Sequence, residues 1–342
     1  MKIAVILFNL GGPDKLENVE PFLFNLFNDP AILNLPSFIR YPLAKLISKR
    51  RSPTAKAIYN EMGGSSPILK LTKEQAISLE QSLNHNEKGF NYKVFIAMRC
   101  WHPRASETVE LVKNFNPKEI ILLPLYPQYS AATSGSSISE WKKVAKKNNL
   151  NINTSTICCY PQNNNFVKAH SELIKKNIKE LKNFKLIFSA HGLPEKNIKK
   201  GDPYQWQVEQ SVNKIMEEIN QNNIDYILSY QSRVGPLKWI GPSTDDVIVE
   251  NSKKGKNLVI VPIAFVSEHS ETLVELDIEY EKLAKDNGCE NYIRVEALGV
   301  HKYFIESLSK LILNKDDYKF NDNLYPPKQR CPSNFTKCPC LN

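Results

Sequence analysis

His191 closes the apolar run Leu186-Ile187-Phe188-Ser189-Ala190, and Gly192-Leu193-Pro194 stops it abruptly. An apolar run of this length, ended by glycine and proline, predicts a buried strand. The histidine then stands at the strand's carboxyl end, the edge where open α/β sheets bind ligands. A second run, Leu258-Val259-Ile260-Val261-Pro262-Ile263, delivers Glu268, His269 and Glu271 to the same kind of edge. Glu275 and Glu279 follow, each four residues on. Like charges at this spacing on a helix repel by about 0.2–0.5 kcal/mol per pair, and most such rows are solvated faces. This row starts beside a histidine, so it also offers hard oxygen ligands leading to an imidazole, a path for a divalent cation. A carboxylate and an imidazole together can accept protons near neutral pH. The structural alternative is a histidine that merely satisfies a turn.

The elements that must position these groups follow from strand-like runs at 3–8, 93–98, 119–125 and 152–157, then 185–189, 225–230, 257–263 and 291–297, with helical patterns between them. Such alternation predicts βαβ units and parallel sheets. Asp202 before Pro203 marks a helix start, and Val208, Val212, Ile215, Met216 and Ile219 continue it at helical spacing. The halves look like copies: Ile120-Ile121-Leu122-Leu123-Pro124-Leu125 matches Val259-Ile260-Val261-Pro262-Ile263, each the third strand of four. The expected fold is α/β, with two similar Rossmann-like domains. Each has a four-stranded parallel sheet flanked by helices, and the active-site cleft lies between them. We draw an N-terminal domain at 1–158, a C-terminal domain carrying His191 and Glu271 at 159–314, and an extension at 315–342. The loop Asn9-Leu10-Gly11-Gly12-Pro13 lacks dinucleotide-binding spacing and reads as a tight strand-to-helix turn.

A chain of 342 residues exceeds one ordinary core, and 42% hydrophobic with 24% charged is an ordinary globular composition. The net charge of +9 comes largely from dispersed lysines, and no nucleic-acid motif accompanies it. It suits anionic substrates or a membrane surface. The opening residues do not read as a signal peptide, and no apolar stretch reaches bilayer length. A cytoplasmic location is expected, or a peripheral one at the inner face of the membrane. Seven cysteines there argue for free thiols or metal ligands over disulfides. Residues 28–53 are broken by Pro30, Pro36, Pro42 and Pro53, rich in apolar side chains, and closed by Lys49-Arg50-Arg51. They read either as a packed excursion of the first domain or as an apolar lip with a basic rim.

Aromatic residues gather near strand ends: Trp101, Tyr126, Tyr129, Trp206, Trp239 and Phe265. Arg99 ends the second strand, and Gly63-Gly64-Ser65-Ser66-Pro67 forms a turn able to hold a carboxylate. These features describe a flat, apolar, acid-bearing ligand together with a metal.

Ten stretches, taken in order, carry a family resemblance: Asn9-Leu10-Gly11-Gly12-Pro13, Lys49-Arg50-Arg51-Ser52-Pro53, Gly64-Ser65-Ser66-Pro67-Ile68, Arg99-Cys100-Trp101-His102-Pro103, Tyr126-Pro127-Gln128-Tyr129-Ser130, Ser189-Ala190-His191-Gly192-Leu193-Pro194, Gly201-Asp202-Pro203-Tyr204, Gln231-Ser232-Arg233-Val234-Gly235-Pro236, Trp239-Ile240-Gly241-Pro242 and the run from Pro262 to Tyr280. The chain resembles the ferrochelatase family, whose members insert Fe²⁺ into protoporphyrin IX to make haem. The resemblance implies that His191 is a metal ligand and proton acceptor, with Glu271 facing it across the macrocycle. It implies that Glu268 and His269 assist proton or metal traffic and that Glu275 and Glu279 continue the metal path. It puts Tyr59, Ser66, Arg99, Tyr126, Trp239 and Phe265 on the porphyrin and Arg50 and Arg51 on its propionates. The lip would touch the membrane. Cys100 and Leu10 depart from the family's usual tyrosine and methionine. The rivals are a coproporphyrin III ferrochelatase, a cobalt or nickel chelatase, and a non-catalytic haem or porphyrin carrier with a sensor tail.

Cys331, Cys338 and Cys340 lie among prolines near the C-terminus. Three thiolates are one short of a closed tetrahedral or iron–sulfur site, and Cys158-Cys159 at the domain join could supply the fourth. Some ferrochelatases hold a [2Fe–2S] cluster on three tail cysteines and one upstream. In one branch the upstream ligand falls where Ala131 stands here, and in a bacterial branch near Cys158. The resemblance therefore implies a cluster on Cys158, Cys331, Cys338 and Cys340, with Cys159 the second choice. Zinc, or a tail of free thiols, is the alternative.

Overall fold

A computed structural model describes residues 1–342 except 88, 222, 234–236, 315–318, 321–322, 325–330 and 342, with 319–320 and 323–324 described by backbone alone. The chain divides into two compact units, residues 1–159 with 308–327 and residues 160–307 with 328–342. The extension drawn at 315–342 is thus shared between the units.

The first unit holds β1 (Lys2–Asn9), α1 (Val19–Phe27), α2 (Ser37–Glu61), α3 (Ile68–Asn86), β2 (Asn91–Met98), α4 (Ala105–Phe115), β3 (Glu119–Pro124), α5 (Ser136–Lys147) and β4 (Asn153–Ile157). The second holds α6 (Asn164–Ile178), β5 (Phe184–His191), α7 (Glu195–Lys199), α8 (Tyr204–Ile219), β6 (Tyr226–Gln231), α9 (Thr244–Lys253), β7 (Asn257–Pro262), α10 (Tyr280–Asp286) and β8 (Tyr292–Arg294). Helix α11 (Lys302–Leu313) crosses the boundary, and β9 (Lys319–Phe320) and β10 (Asn323–Leu324) follow it. The sheets run β2-β1-β3-β4-β10-β9 and β6-β5-β7-β8. The four expected strands pair in parallel in each. The first sheet is longer than expected because β10 adds in parallel to β4 and β9 pairs antiparallel to it.

Period-two patterning explains how helices cover the sheets. In the first unit Ala4, Ile6 and Phe8 of β1 and Ile120 and Leu122 of β3 pack with Val109, Val112, Ile138 and Trp141 of α4 and α5. In the second, Ile187, Leu258 and Ile260 meet Val247, Ile248, Leu276, Tyr280 and Ala284. Each fully buried side chain of this kind contributes roughly 1.5–3 kcal/mol. Strand β8 is shorter than the 291–297 expected. The Ala297 N–H is given to the Glu268 carboxylate (2.8 Å) instead of a strand neighbour.

The stretch 28–53 departs from the expectation that its prolines break it up. Pro42 and Pro53 lie inside the single 25-residue helix α2. Each lacks an N–H and leaves one carbonyl of the preceding turn unbonded, a defect of about 3 kcal/mol in an isolated helix. Tertiary packing overrides it. Ala44, Ser48 and Ser52, four apart, form a buried small-residue face, and α2 packs on α1. Apolar residues elsewhere on the helix face outward, Phe38 at 77% and Leu46 at 57% exposed.

Candidate functional site

His191 is the last residue of β5, paired with Gln231 at the end of β6. Gly192 then approaches so closely that a Cβ there would fall 3.0 Å from the Gln231 carbonyl and 3.3 Å from the Trp239 ring. The strand end and its aromatic neighbour are therefore fixed together. Ile240 N–H donates to the Leu193 carbonyl (3.0 Å), tying the Trp239 loop to the same end.

The row of glutamates lies on a π-helix, Glu271–Glu279. Such wide turns are rare and cluster at functional sites. Leu276 anchors it in the core, while Glu271 and Glu275 are half-buried and Glu279 is exposed. His191 Nδ1 lies 2.8 Å from Glu271 Oε2, and His269 Nε2 stands 4.0 Å from the same oxygen. The Phe265 ring packs on His269 at 4.6 Å.

Burial opposes a charged imidazole, yet the Glu271 charge and hydrogen bond, with Glu275 behind, hold His191 above its ordinary range. With 39% of its side chain open to solvent, His191 is desolvated only in part, so the pairing prevails. Burial would likewise raise Glu271, but the His191 charge and hydrogen bond bring it down to about 2. His269 is depressed by burial, and its Nδ1 is a buried atom without a hydrogen-bond partner. The site thus pairs a histidine whose protonated form is favoured by Glu271 with a second imidazole, His269, whose burial opposes protonation. With Nδ1 committed to Glu271, His191 keeps Nε2 to face a metal or to accept a proton.

Glu275 is raised by burial and by the Glu271 charge. Four groups hold it: Gln231 Nε2 donates to Oε2 (2.8 Å), Ser232 N–H to Oε1 (2.9 Å), Ser232 Oγ–H to Oε2 (2.5 Å) and Tyr280 O–H to Oε1 (3.2 Å). Ser232 does this at φ +60, left-handed backbone costing about 1–3 kcal/mol and characteristic of functional sites. The support extends inward, since Ser189 Oγ–H donates to Gln231 Oε1 (2.7 Å) and meets Thr244 Oγ1 at 3.1 Å. The sequence reading gave Gln231, Ser232 and Tyr280 no role. Their signal was present, because Gln231-Ser232 ends the strand beside β5 at the same sheet edge. Val234, Gly235 and Pro236 of that motif lie outside the described residues. Ser232→Ala removes one donor to a carboxylate already raised, so Glu275 should titrate at still higher pH. A carboxyl NMR titration checks this, with stability expected to fall by only about 1 kcal/mol.

The other expected site residues have partners of their own. Glu268 Oε1 is held by Arg294 (2.5 Å) and the Ala297 N–H, and Arg294 also grips Asp277. Its carboxylate is built into the β8 edge. In the first unit the Arg99 guanidinium binds Asp29 (2.9 Å), Glu140 (3.2 Å) and Ser136 Oγ (2.6 Å). Tyr59 is buried with Phe22, Cys100 and Trp101, and Tyr126 is half-buried beyond β3. Ser66 closes the turn into α3, its N–H donating to the Pro13 carbonyl (2.8 Å). Arg50 and Arg51 are exposed on α2, Arg51 over the Phe27 ring. An open hollow of about 520 Å³ is lined by Arg233, Leu237, Lys238, Trp239 and Asp245. A larger one of about 760 Å³, among Glu172, Lys176 and His301, lacks the aromatic lining that Trp239 gives the first. The first suits an acidic aromatic ligand better despite its size.

The ferrochelatase family profile matches residues 2–316. A ferrochelatase of Pelagibacter ubique (strain HTCC1062) is 72% identical over 342 residues, covering 100% of this chain and 99% of that one. Ferrochelatases of Rickettsia bellii (strain OSU 85-389) and Caulobacter vibrioides (strain NA1000 / CB15N) are each 48% identical, covering 99% of this chain and 95% and 97% of theirs. This chain belongs to the ferrochelatase family. It is a metal chelatase of haem synthesis, with Fe²⁺ as substrate. Among solved structures, SirB from Bacillus subtilis with Fe3+ superposes with a TM-score of 0.56 at 14% identity, covering 92% of this chain and 95% of that one. At that identity the likeness speaks to the fold alone. No helix among the described residues is long and apolar enough to cross a membrane.

The cysteine tail lies on α8. Cys331, Cys338 and Cys340 are all buried, and the thiols of Cys338 and Cys340 lie within 4.8 Å. Cys331 is hydrogen-bonded to Cys338 and raised by that bond and by burial, while Gln207 Nε2 donates to its sulfur (3.2 Å). Converging buried thiols are costly to ionise unless a soft metal takes the charge, so this donor set fits a thiolate-held group. Cys158 and Cys159 are buried just after β4.

Proposed function

We propose that this ferrochelatase inserts Fe²⁺ into protoporphyrin IX. The observation that carries the reading is the 2.8 Å His191–Glu271 pair at the end of β5. It sets a basic imidazole nitrogen and a carboxylate side by side, which is what removal of pyrrole N–H protons and capture of a cation both require. His191 Nε2 holds the metal and, once the ion has passed to the ring nitrogens, takes one of the two pyrrole protons; the other leaves by way of His269, and Glu271 balances the charge. Glu275 and Glu279 lead Fe²⁺ inward, and His269 and Glu268 assist proton and metal traffic. Trp239, Phe265, Tyr59, Ser66, Arg99 and Tyr126 grip the ring, and Arg50 and Arg51 receive the propionates. A grip on the ring edges draws on remote binding energy to strain the macrocycle so that its lone pairs turn outward.

The apolar side chains exposed on α2, among lysines and arginines, support peripheral contact with a membrane that delivers a water-insoluble porphyrin. The protein would work at the cytoplasmic face. Cys331, Cys338, Cys340 and Cys158 would hold a [2Fe–2S] cluster. It would supply a structural or sensing centre, since metal insertion transfers no electrons. The test is anaerobic turnover of the purified chain with Fe²⁺ and either protoporphyrin IX or coproporphyrin III, followed by loss of free-porphyrin absorption. Faster turnover of protoporphyrin is expected. Preference for coproporphyrin would move the chain to the other substrate, and binding without insertion would make it a carrier.

A further inference from the structure

We propose that Tyr204 is a positioning residue for His191, and that the cysteine tail, seated on Gly201, holds in place the loop that carries Tyr204. The inference rests on reading His191 as the metal-site histidine. The motif Gly201-Asp202-Pro203-Tyr204 has no part in the chemistry derived above, yet three sets of contacts converge on it.

The first set joins the tail to the loop. Gly201 adopts φ +89, and a Cβ there would lie 2.5 Å from Thr336 Oγ1 and 2.8 Å from Thr336 N. The tail backbone fills the space a side chain would need. Lys337 N–H donates to the Gly201 carbonyl (3.0 Å). Phe335 packs on Trp206 with ring centroids 5.9 Å apart, and Gln207 holds Cys331. The tail therefore clasps the loop and the first turn of α8 through residues 201, 206 and 207.

The second set fixes the loop. Asp202 is buried, and its Oδ1 accepts the Tyr204 N–H (3.0 Å). The third set reaches the site. Tyr204 is only 6% exposed, and its phenol is hydrogen-bonded to the main chain of His191. The sheet explains why that partner is needed. On the β7 side, pairing with β5 stops at Ser189 and Pro262, and the last bond runs from Ile263 N–H to the Ser189 carbonyl (3.1 Å). In a parallel strand alternate residues face alternate neighbours. His191 follows Ser189 by two, so its main chain points past the end of β7, and Tyr204 stands where a strand neighbour would be. The imidazole's direction then depends on the phenol, the loop and the tail in series.

The test uses the full-length chain with Tyr204→Phe and, separately, Phe335→Ala. Neither residue touches the reacting atoms. Tyr204→Phe should speed amide hydrogen exchange of residues 189–193 about tenfold and lower kcat about tenfold, with the porphyrin KM changed less than twofold. Phe335→Ala should speed exchange at 200–206 and at 189–193 together. Exchange of β1 should stay at the parent rate in both, which excludes general unfolding. If Phe335→Ala unfolds, Phe335→Leu, which keeps bulk but loses the ring contact, replaces it. Unchanged exchange or unchanged kcat in Tyr204→Phe would overturn the positioning role. Loosening of 331–341 that leaves 189–193 at the parent rate would overturn the tail's part. The exchange measurement needs no substrate, so it decides the link to His191 even if the protoporphyrin reading fails.

Discussion

His191→Ala should lower the rate of metal insertion by about 10²–10⁴-fold while porphyrin affinity stays nearly unchanged, the range expected when a positioned acid–base group is lost. Among the described residues at the β5 end, the imidazole is the group that combines a basic nitrogen with a fixed partner. In the proposed reading porphyrin contact is spread over many side chains, so affinity should survive. Glu271→Gln tests the pairing by sign. The Glu271 charge lifts His191, and without it burial prevails and the imidazole titrates lower. A proton competes with the metal for the imidazole, so insertion by the parent should fall as pH drops through the raised His191 value. In Glu271→Gln that acid limb should move to lower pH, although the maximum rate also drops. A limb that moves upward or stays put would remove His191 as the titrating group. Stability carries a matching signature. The raised His191 stabilises the fold fully below its unfolded value, near 6.5, and that contribution is lost as pH rises through the folded value. The depressed Glu271 contributes above about 4.5 and loses it as pH falls towards about 2. Between these limits both terms are present, and the difference in melting temperature between the parent and Glu271→Gln should be largest there.

Why some of this site was legible in the residues and the rest was hidden is a matter of range. Strand runs such as 257–263 were legible because burial on both faces demands unbroken apolar residues, and the observed β7, Asn257–Pro262, lies within one residue of the expectation. His191 and Glu271 were legible because each follows such a run. Helix α2 was misread because proline reports local cost, while the burial of Ala44, Ser48 and Ser52 and the packing of the helix on α1 are tertiary gains that no local pattern displays. The π-helix was also invisible, since its wide turn and an α-helix both place residues four apart on one face. Ser232 illustrates the remaining gap. Its value to Glu275 depends on a left-handed backbone and on a helix 43 residues along the chain. Arg99 shows the converse. A guanidinium at a strand end reads as a ligand contact, and the partners that hold it in place, Asp29, Ser136 and Glu140, are far away in sequence and were not legible.

Cys158→Ser should abolish the proposed iron–sulfur centre as completely as Cys338→Ser, whereas Cys159→Ser should retain it. Adjacent residues of an extended chain point to opposite sides, so only one of the pair can join the tail thiols. The chain after β4 leads to the tail's own helix: the Pro161 carbonyl accepts a bond from Ser211 Oγ–H (2.7 Å) on α8, one turn beyond Gln207, which holds Cys331. Three residues span at most about 10 Å, so Cys158 starts within a short reach of that helix. Closed thiolate sites contribute on the order of 10 kcal/mol to the segments they join, which is why one lost ligand should empty the site. Iron and acid-labile sulfide per chain, with the visible spectrum, decide the outcome. Cys100→Ser is the control, because that thiol is packed among Phe22, Tyr59 and Trp101 rather than with other cysteines. Two irons and two sulfides in the parent, lost in Cys158→Ser and kept in Cys159→Ser, are expected. One zinc without sulfide would replace the cluster by a structural zinc site, and loss confined to Cys159→Ser would move the fourth ligand one residue along.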